Sequence, residues 1–235
     1  MKPEKPTMLL DALASNDHFG SAVRDDLAPC RVPDIFGYDD LKVLFIAESP
    51  HTDEVRFGAP FSGRSGRDMT RVLLDRVFDR EDIPEPLPFG RCMQFQSRFF
   101  RHFGVMNVCN LPLQKAALKD KAAAMPAKYP NLFDAFKTIR GNPTAVQRQS
   151  QTVARVDAVI LDDFTRRLRS CSEPGPLIIP CGNMARAFVD KSDVAPDPDR
   201  YLNRVPHPSY GQWLQAKHGD IINDMCRRIR EQIET

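Results

Sequence analysis

The sequence contains no Cys-x-x-Cys pair. Its six cysteines, Cys30, Cys92, Cys109, Cys171, Cys181 and Cys226, are scattered along the chain. Zinc knuckles, redox motifs and iron–sulfur sites draw their ligands from close pairs, so the spacing argues against all three. The thiols are expected to be free, as in a reducing cytosol. No apolar run approaches the roughly 20 residues of a membrane-spanning helix, so none is expected. The opening MKPEKPTMLLDALAS has an apolar segment too short for a secretion signal and reads as a helix. Internal repeats and low-complexity stretches are also lacking. So is an excess of one charge: 33 basic residues face 31 acidic ones, so net charge gives no argument for a nucleic-acid partner. Tryptophan occurs once, at Trp213.

What is present is enough apolar material for a core, 42% of 235 residues, and a single domain over 1–235 is expected. Residues 1–40 read as a helical extension and 112–172 as a helical insertion. Leu41–Ala47 is a continuous apolar run whose length fits a strand buried on both faces. Further strands are expected at 104–111, 176–182 and 200–210. Helices are expected at RSGRDMTRVLLDRVF, at NMARAFVD and around 215–233. Strands alternating with helices predict an α/β fold, a parallel sheet with helices on both faces. In such sheets ligands bind beyond the carboxyl ends of the strands. Polar groups gather at that edge: Glu48 and Ser49 after the first strand, Asn107 and Asn110 at the second, His207 and Ser209 after the fourth. The first strand runs into a twenty-residue loop, AESPHTDEVRFGAPFSGRSG.

This loop resembles motif one of the uracil-DNA glycosylase superfamily, in the form carried by its iron–sulfur branch. Glu48, Pro50, Glu54, Gly58, Pro60, Phe61, Gly63 and Gly66 match that pattern without a gap. MNVCNLP resembles the family's Asn-bearing strand, LIIPCGNMARAF its next strand and helix, and His207-Pro208-Ser209-Tyr210 its final motif. The resemblance implies a three-layer α/β/α sandwich with a central four-stranded parallel sheet. It also implies hydrolysis of the N-glycosidic bond of a base flipped out of DNA, single- or double-stranded. Phe61 would stack on the base, Asn107 would read its edge, and His207 would donate to the oxygen where charge builds. Glu48 first and Glu54 second would manage water and the developing sugar cation, beside Ser49. Asn110 and His51 would line the pocket. The run GRSGRD, with Arg64, Ser65 and Arg67, suits phosphate, or is a plain loop-to-helix connection with solvated arginines. Ser209 and Tyr210 would face the DNA. Trp213 would fill the gap left by the base, or anchor the last helix in the core.

The chain departs from the branch in four ways. Ser49 cannot be a strong base. His51 replaces a glycine beside the pocket. His51, Asp53 and Glu54 are adjacent loop residues and make a poor metal site, and the cluster cysteines are missing, so no metal or other cofactor is expected. From Gln114 to Arg155 eight basic residues face two acidic ones, which suits a DNA- or partner-facing element or a solvated helix face. No lysine nucleophile is evident, so no lyase step is expected. Three functions remain open: a monofunctional DNA glycosylase, a binding module for modified or foreign bases on the same fold, and a hydrolase of a small nucleoside or nucleotide.

Overall fold

The computed structural model describes residues 8–15, 21–80, 85–118, 124–144, 150–171, 175–194 and 196–234. In chain order its regular elements are α1 (Met8–Ala14), α2 (Ala22–Leu27), β1 (Ile35–Phe36), β2 (Val43–Ala47), α3 (Thr52–Phe57), α4 (Arg64–Phe78) and α5 (Phe89–Gln94). They continue with β3 (Phe103–Asn107), α6 (Met125–Lys128), α7 (Pro130–Gly141), α8 (Gln151–Ser170), β4 (Leu177–Pro180), α9 (Asn183–Lys191) and α10 (Gly219–Glu234).

The sheet has four strands in the order β1-β3-β2-β4. β2 lies at its centre, parallel to both neighbours, with Ala47 opposite Asn107 and Phe45 opposite both Val105 and Ile179. Its five residues are all buried, because alternate side chains enter different cores. Leu44 and Ile46 face one cluster, built with α1, α2, α7, α8 and α9. Val43, Phe45 and Ala47 face the other, built with α4, α5 and α10. The result is the expected three-layer α/β/α sandwich.

One strand differs from expectation. Residues 200–210 make only a single parallel bridge, Tyr201 to Ile178, and then leave the sheet. Pro206 and Pro208 have no N–H to offer a ladder, which favours an irregular path here. The fourth strand is instead β1, which lies within the residues 1–40 read from sequence as a helical extension. It pairs antiparallel with β3, Ile35 opposite Val105. The segment 112–172 supplies α7 and α8, whose Leu132, Phe133, Phe136, Val156, Ile160 and Phe164 form much of one core. Among the described residues no helix is long and apolar enough to cross a membrane.

Candidate active site

The carboxyl ends of β2 and β3 stay joined beyond the regular strands. Val108 N–H donates to Ala47 O at 2.9 Å, and Cys109 N–H to Glu48 O at 3.2 Å. This holds Glu48 and Ser49 beside Asn107, the last residue of β3. The Asn107 side chain is fully buried, and neither its amide nitrogen nor its amide oxygen has a hydrogen-bond partner. The hydroxyls of Ser49 and Ser62 are buried and unpartnered as well. Leaving a buried polar group unpaired costs about 1–3 kcal/mol, so a fold keeps such groups where they serve something outside the chain.

The rest of β3's end is held firmly. Arg167, on α8, is 1% exposed and donates to the backbone oxygens of Asn107 at 3.0 Å and Val108 at 2.7 Å. The same guanidinium reaches Asp163 at 2.8 Å and both oxygens of Asp34 at 3.1 Å. Asn110 belongs to this scaffold: in the amide orientation that satisfies its oxygen and nitrogen, the nitrogen donates to Asp34 at 3.1 Å and to Val32 O at 3.2 Å. Asn110 was expected to line the pocket; its donors are already committed to the protein.

The loop after β2 is not irregular throughout. A His51-Thr52-Asp53-Glu54 start, with an acid three residues after the cap, folds it into α3, and Gly58 at φ 67° ends that helix. Glu54 is buried. One carboxylate oxygen accepts from His51 N–H at 2.6 Å and the other from Phe61 N–H. Burial pushes its carboxyl up to about 7, against the pull of those two N–H groups. Each oxygen thus accepts one N–H of the loop, and Glu54 acts as a clamp on it. The clamp fixes Phe61 at φ 52°, an uncommon conformation for a non-glycine residue. α4 closes against the same point: a Cβ on Gly66 would stand 1.7 Å from Phe61 O, so only glycine fits. Arg64 and Arg67 are exposed in the first turn of α4, with Ser65 between them. His51 is exposed at the start of α3.

Phe61 is buried, with its ring centroid 6.2 Å from that of His207. Gly182, at φ 93° after β4, lets the His207 segment approach: a Cβ there would lie 3.0 Å from His207 Cβ. Gly182 N–H also donates to Val205 O at 3.0 Å. His207 Nδ1 accepts from Ser209 N–H at 3.2 Å and lies 2.8 Å from Ser209 Oγ. An Nδ1 that accepts leaves the ring proton on Nε2. Burial, with the Arg140 charge as a second cause, lowers the His207 pKa to about 4, so the ring is neutral at pH 7. Ser209 thus faces His207 within the chain. Glu48, on the same side, is ion-paired with Arg140 of α7.

Trp213 lies in the core. It is 1% exposed, its indole N–H donates to Pro206 O at 2.8 Å, and its ring lies 6.0 Å from Phe45. The exposed side chains of this turn are Tyr210, 91% accessible at φ 58°, and Leu214. Three of the eight basic residues of 114–155 are answered locally. Lys115 pairs with Asp134, Lys128 with Asp26 and Arg140 with Glu48, while Lys119, Lys121 and Arg148 lie outside the described residues.

Sequence reasoning missed Arg167 and the partnership of Arg140. The only trace of the first was an Asp163/Arg167 pair four residues apart, which reads equally well as a surface ion pair.

The family model of the uracil DNA glycosylase superfamily matches residues 33–226, from β1 into α10. The chain belongs to the uracil-DNA glycosylase superfamily. A search of curated proteins finds no match. Superfamily membership carries a glycosylase-like function and DNA as the general substrate. The cysteines do not fit the cluster of the iron–sulfur branch. They are dispersed through the fold, and among the described residues no three His, Cys, Asp or Glu side chains could hold a metal ion.

Proposed function

We propose that this domain is a monofunctional DNA glycosylase that hydrolyses the N-glycosidic bond of a flipped-out uracil or closely related base. The observation that carries the reading is the fully buried Asn107 amide with both polar atoms unpartnered. An amide held this way offers one acceptor and two donors, which match the N3–H and O4 of uracil. Because Arg167 fixes the backbone beneath it, the amide is preorganised.

Phe61 supplies a flat face for the base, worth roughly 1–3 kcal/mol. Neutral His207 presents Nε2–H to the base O2. As the bond between the base nitrogen and C1′ breaks, its electron pair moves onto the base, and a donor already in place stabilises that charge without reorganisation. A neutral imidazole suits this task because it hydrogen-bonds the departing anion without having to lose a buried charge. Water adds to C1′; one of its protons ends on the base nitrogen and the hydroxyl stays on the sugar. Glu48, with Ser49 beside it, is the group proposed to orient that water and to face the sugar cation. Arg64, Ser65 and Arg67 meet phosphate at the start of α4, where backbone N–H groups and the helix dipole add positive potential. Tyr210 takes the wedge position first assigned to Trp213.

One observation favours a second reading. The Glu48 carboxylate is engaged by Arg140, and Ser49 cannot replace it as a base. A domain of this kind could bind a modified or foreign base without cleaving it. Glu48→Gln separates the two: under the enzyme reading it abolishes base release and preserves affinity for a uracil-containing oligonucleotide. Under the binding reading wild type itself releases nothing.

A further inference from the structure

A second surface lies on the two helices that pack against the Phe61 loop. α3 carries the Glu54 clamp. α5 is tied to Phe61 by Gly90 N–H, which donates to Phe61 O at 3.2 Å, and to α3 by the Gln94 side-chain amide, which donates to Phe57 O at 2.8 Å. Where the helices meet, the Arg91 guanidinium is sandwiched between two rings, 4.7 Å from the Phe57 centroid and 4.9 Å from that of Phe95. Arg56 lies 5.2 Å from the Phe57 centroid, and nearby in sequence Arg98 lies 5.3 Å from that of Phe99. Phe95 is 62% exposed, a large ring kept in water at the end of α5. Among the described residues Arg56, Arg91 and Arg98 have no carboxylate partner, in contrast to Lys128, Arg140, Arg169 and Arg227 elsewhere on the surface.

Arginines stacked on rings, one ring still largely exposed, with unneutralised positive charge alongside, make a surface for a polyanion that also has flat apolar faces. Single-stranded DNA has both. In a duplex the base faces are covered by their neighbours, and only the backbone would be served. We propose that Arg56, Phe57, Arg91 and Phe95 form a stacking platform that binds single-stranded DNA beside the pocket, Phe95 taking a base and the arginines the flanking phosphates. The platform rests on the glycosylase reading only for its choice of DNA, and it makes the preferred substrate single-stranded.

The test measures binding and base release separately. Fluorescence anisotropy with a labelled uracil-containing single strand of about 15 nucleotides, within reach of one binding face, is compared with the same strand in duplex. Phe95→Ala is expected to weaken single-strand binding by about tenfold and leave duplex binding within about twofold. Phe95→Trp restores affinity and Phe95→Leu does not, since the ring face and not apolar bulk is needed. Arg91→Ala lowers both affinity and the salt dependence of binding; Arg227→Ala, a charge loss on α10, changes neither. All are checked for native circular dichroism. An unchanged Phe95→Ala affinity, an equal loss on duplex, or tighter binding of the matching RNA overturns the proposal. If wild type releases base but Phe95→Ala binds normally, the platform fails and the glycosylase reading stands. If Phe95→Ala loses binding while wild type releases nothing, the platform stands and the glycosylase reading fails.

Discussion

Replacing Arg167 by Met should cost more stability than any surface change in this molecule. The guanidinium is 1% exposed and serves Asp163, Asp34 and the carbonyls of Asn107 and Val108 together. Met fills much of the volume but removes the buried counter-charge from Asp34 and Asp163, which among the described residues keep only Asn110 and Arg166 as partners, and takes this donor from two carbonyls. Breaking a buried ion pair by removing one partner costs about 3–5 kcal/mol. For a domain of this size each kcal/mol moves the unfolding midpoint by about 2–4 °C, so about 4 kcal/mol lowers Tm by roughly 8–16 °C. Arg167→Lys keeps one charge and loses the fork, so it should fall between Met and wild type. The assay is thermal unfolding by circular dichroism at pH 7, with single-turnover base release measured below both midpoints. Since Arg167 acts on the pocket through the Asn107 backbone, Lys should reduce release even where the protein is fully folded. A Met variant within about 2 °C of wild type would refute the claim that this network holds the end of β3.

Three further predictions follow from the site. Glu54, raised to about 7 from 4.5, favours the folded state when protonated, so its contribution is present below about pH 4.5 and is lost as pH rises through 7. The displacement corresponds to roughly 3 kcal/mol; denaturant titrations should show wild type losing about that much relative to Glu54→Gln over this window, and parallel pH profiles would contradict it. His207, lowered to about 4, should keep base release level down to about pH 5 and let it fall only near pH 4; Arg140→Ala removes one cause of that lowering and should move the acid limb upward. Trp213→Phe should destabilise by about 1 kcal/mol through its lost hydrogen bond and leave DNA affinity unchanged, whereas Tyr210→Ala should weaken DNA binding with little change in Tm.

The parts of the fold legible in the sequence were those written in local pattern. The apolar run at β2, the helical stripe of α4 and the LIIP strand leading into α9 each bury residues that alternate at their own period, and all three lie where the pattern puts them. The carboxyl-edge rule also brought Glu48, Asn107 and His207 to one side of the sheet. β1 was hidden because two residues carry no period, and its pairing depends on β3, about seventy positions away. The Glu54 clamp was partly visible, as an acid three residues after His51, but the glycines and prolines around it favoured a loop reading. Arg167 could not be placed from local sequence at all: its partners come from residues 34, 107, 108 and 163, and only the packing of α8 on the sheet collects them. Trp213 shows the converse, a residue next to the right motif whose size sent it into the core.

The central claim is tested most directly by base release. Oligonucleotides carrying uracil, hypoxanthine, xanthine or hydroxymethyluracil, single- and double-stranded, would be incubated with wild type, Asn107→Ala and His207→Ala, and free base and alkali-labile sites measured. The account predicts that wild type frees uracil or one close relative, most rapidly from the single strand, and that both variants lose that activity while remaining folded. Release by Asn107→Ala at the wild-type rate, or no release by wild type from any strand, would contradict it.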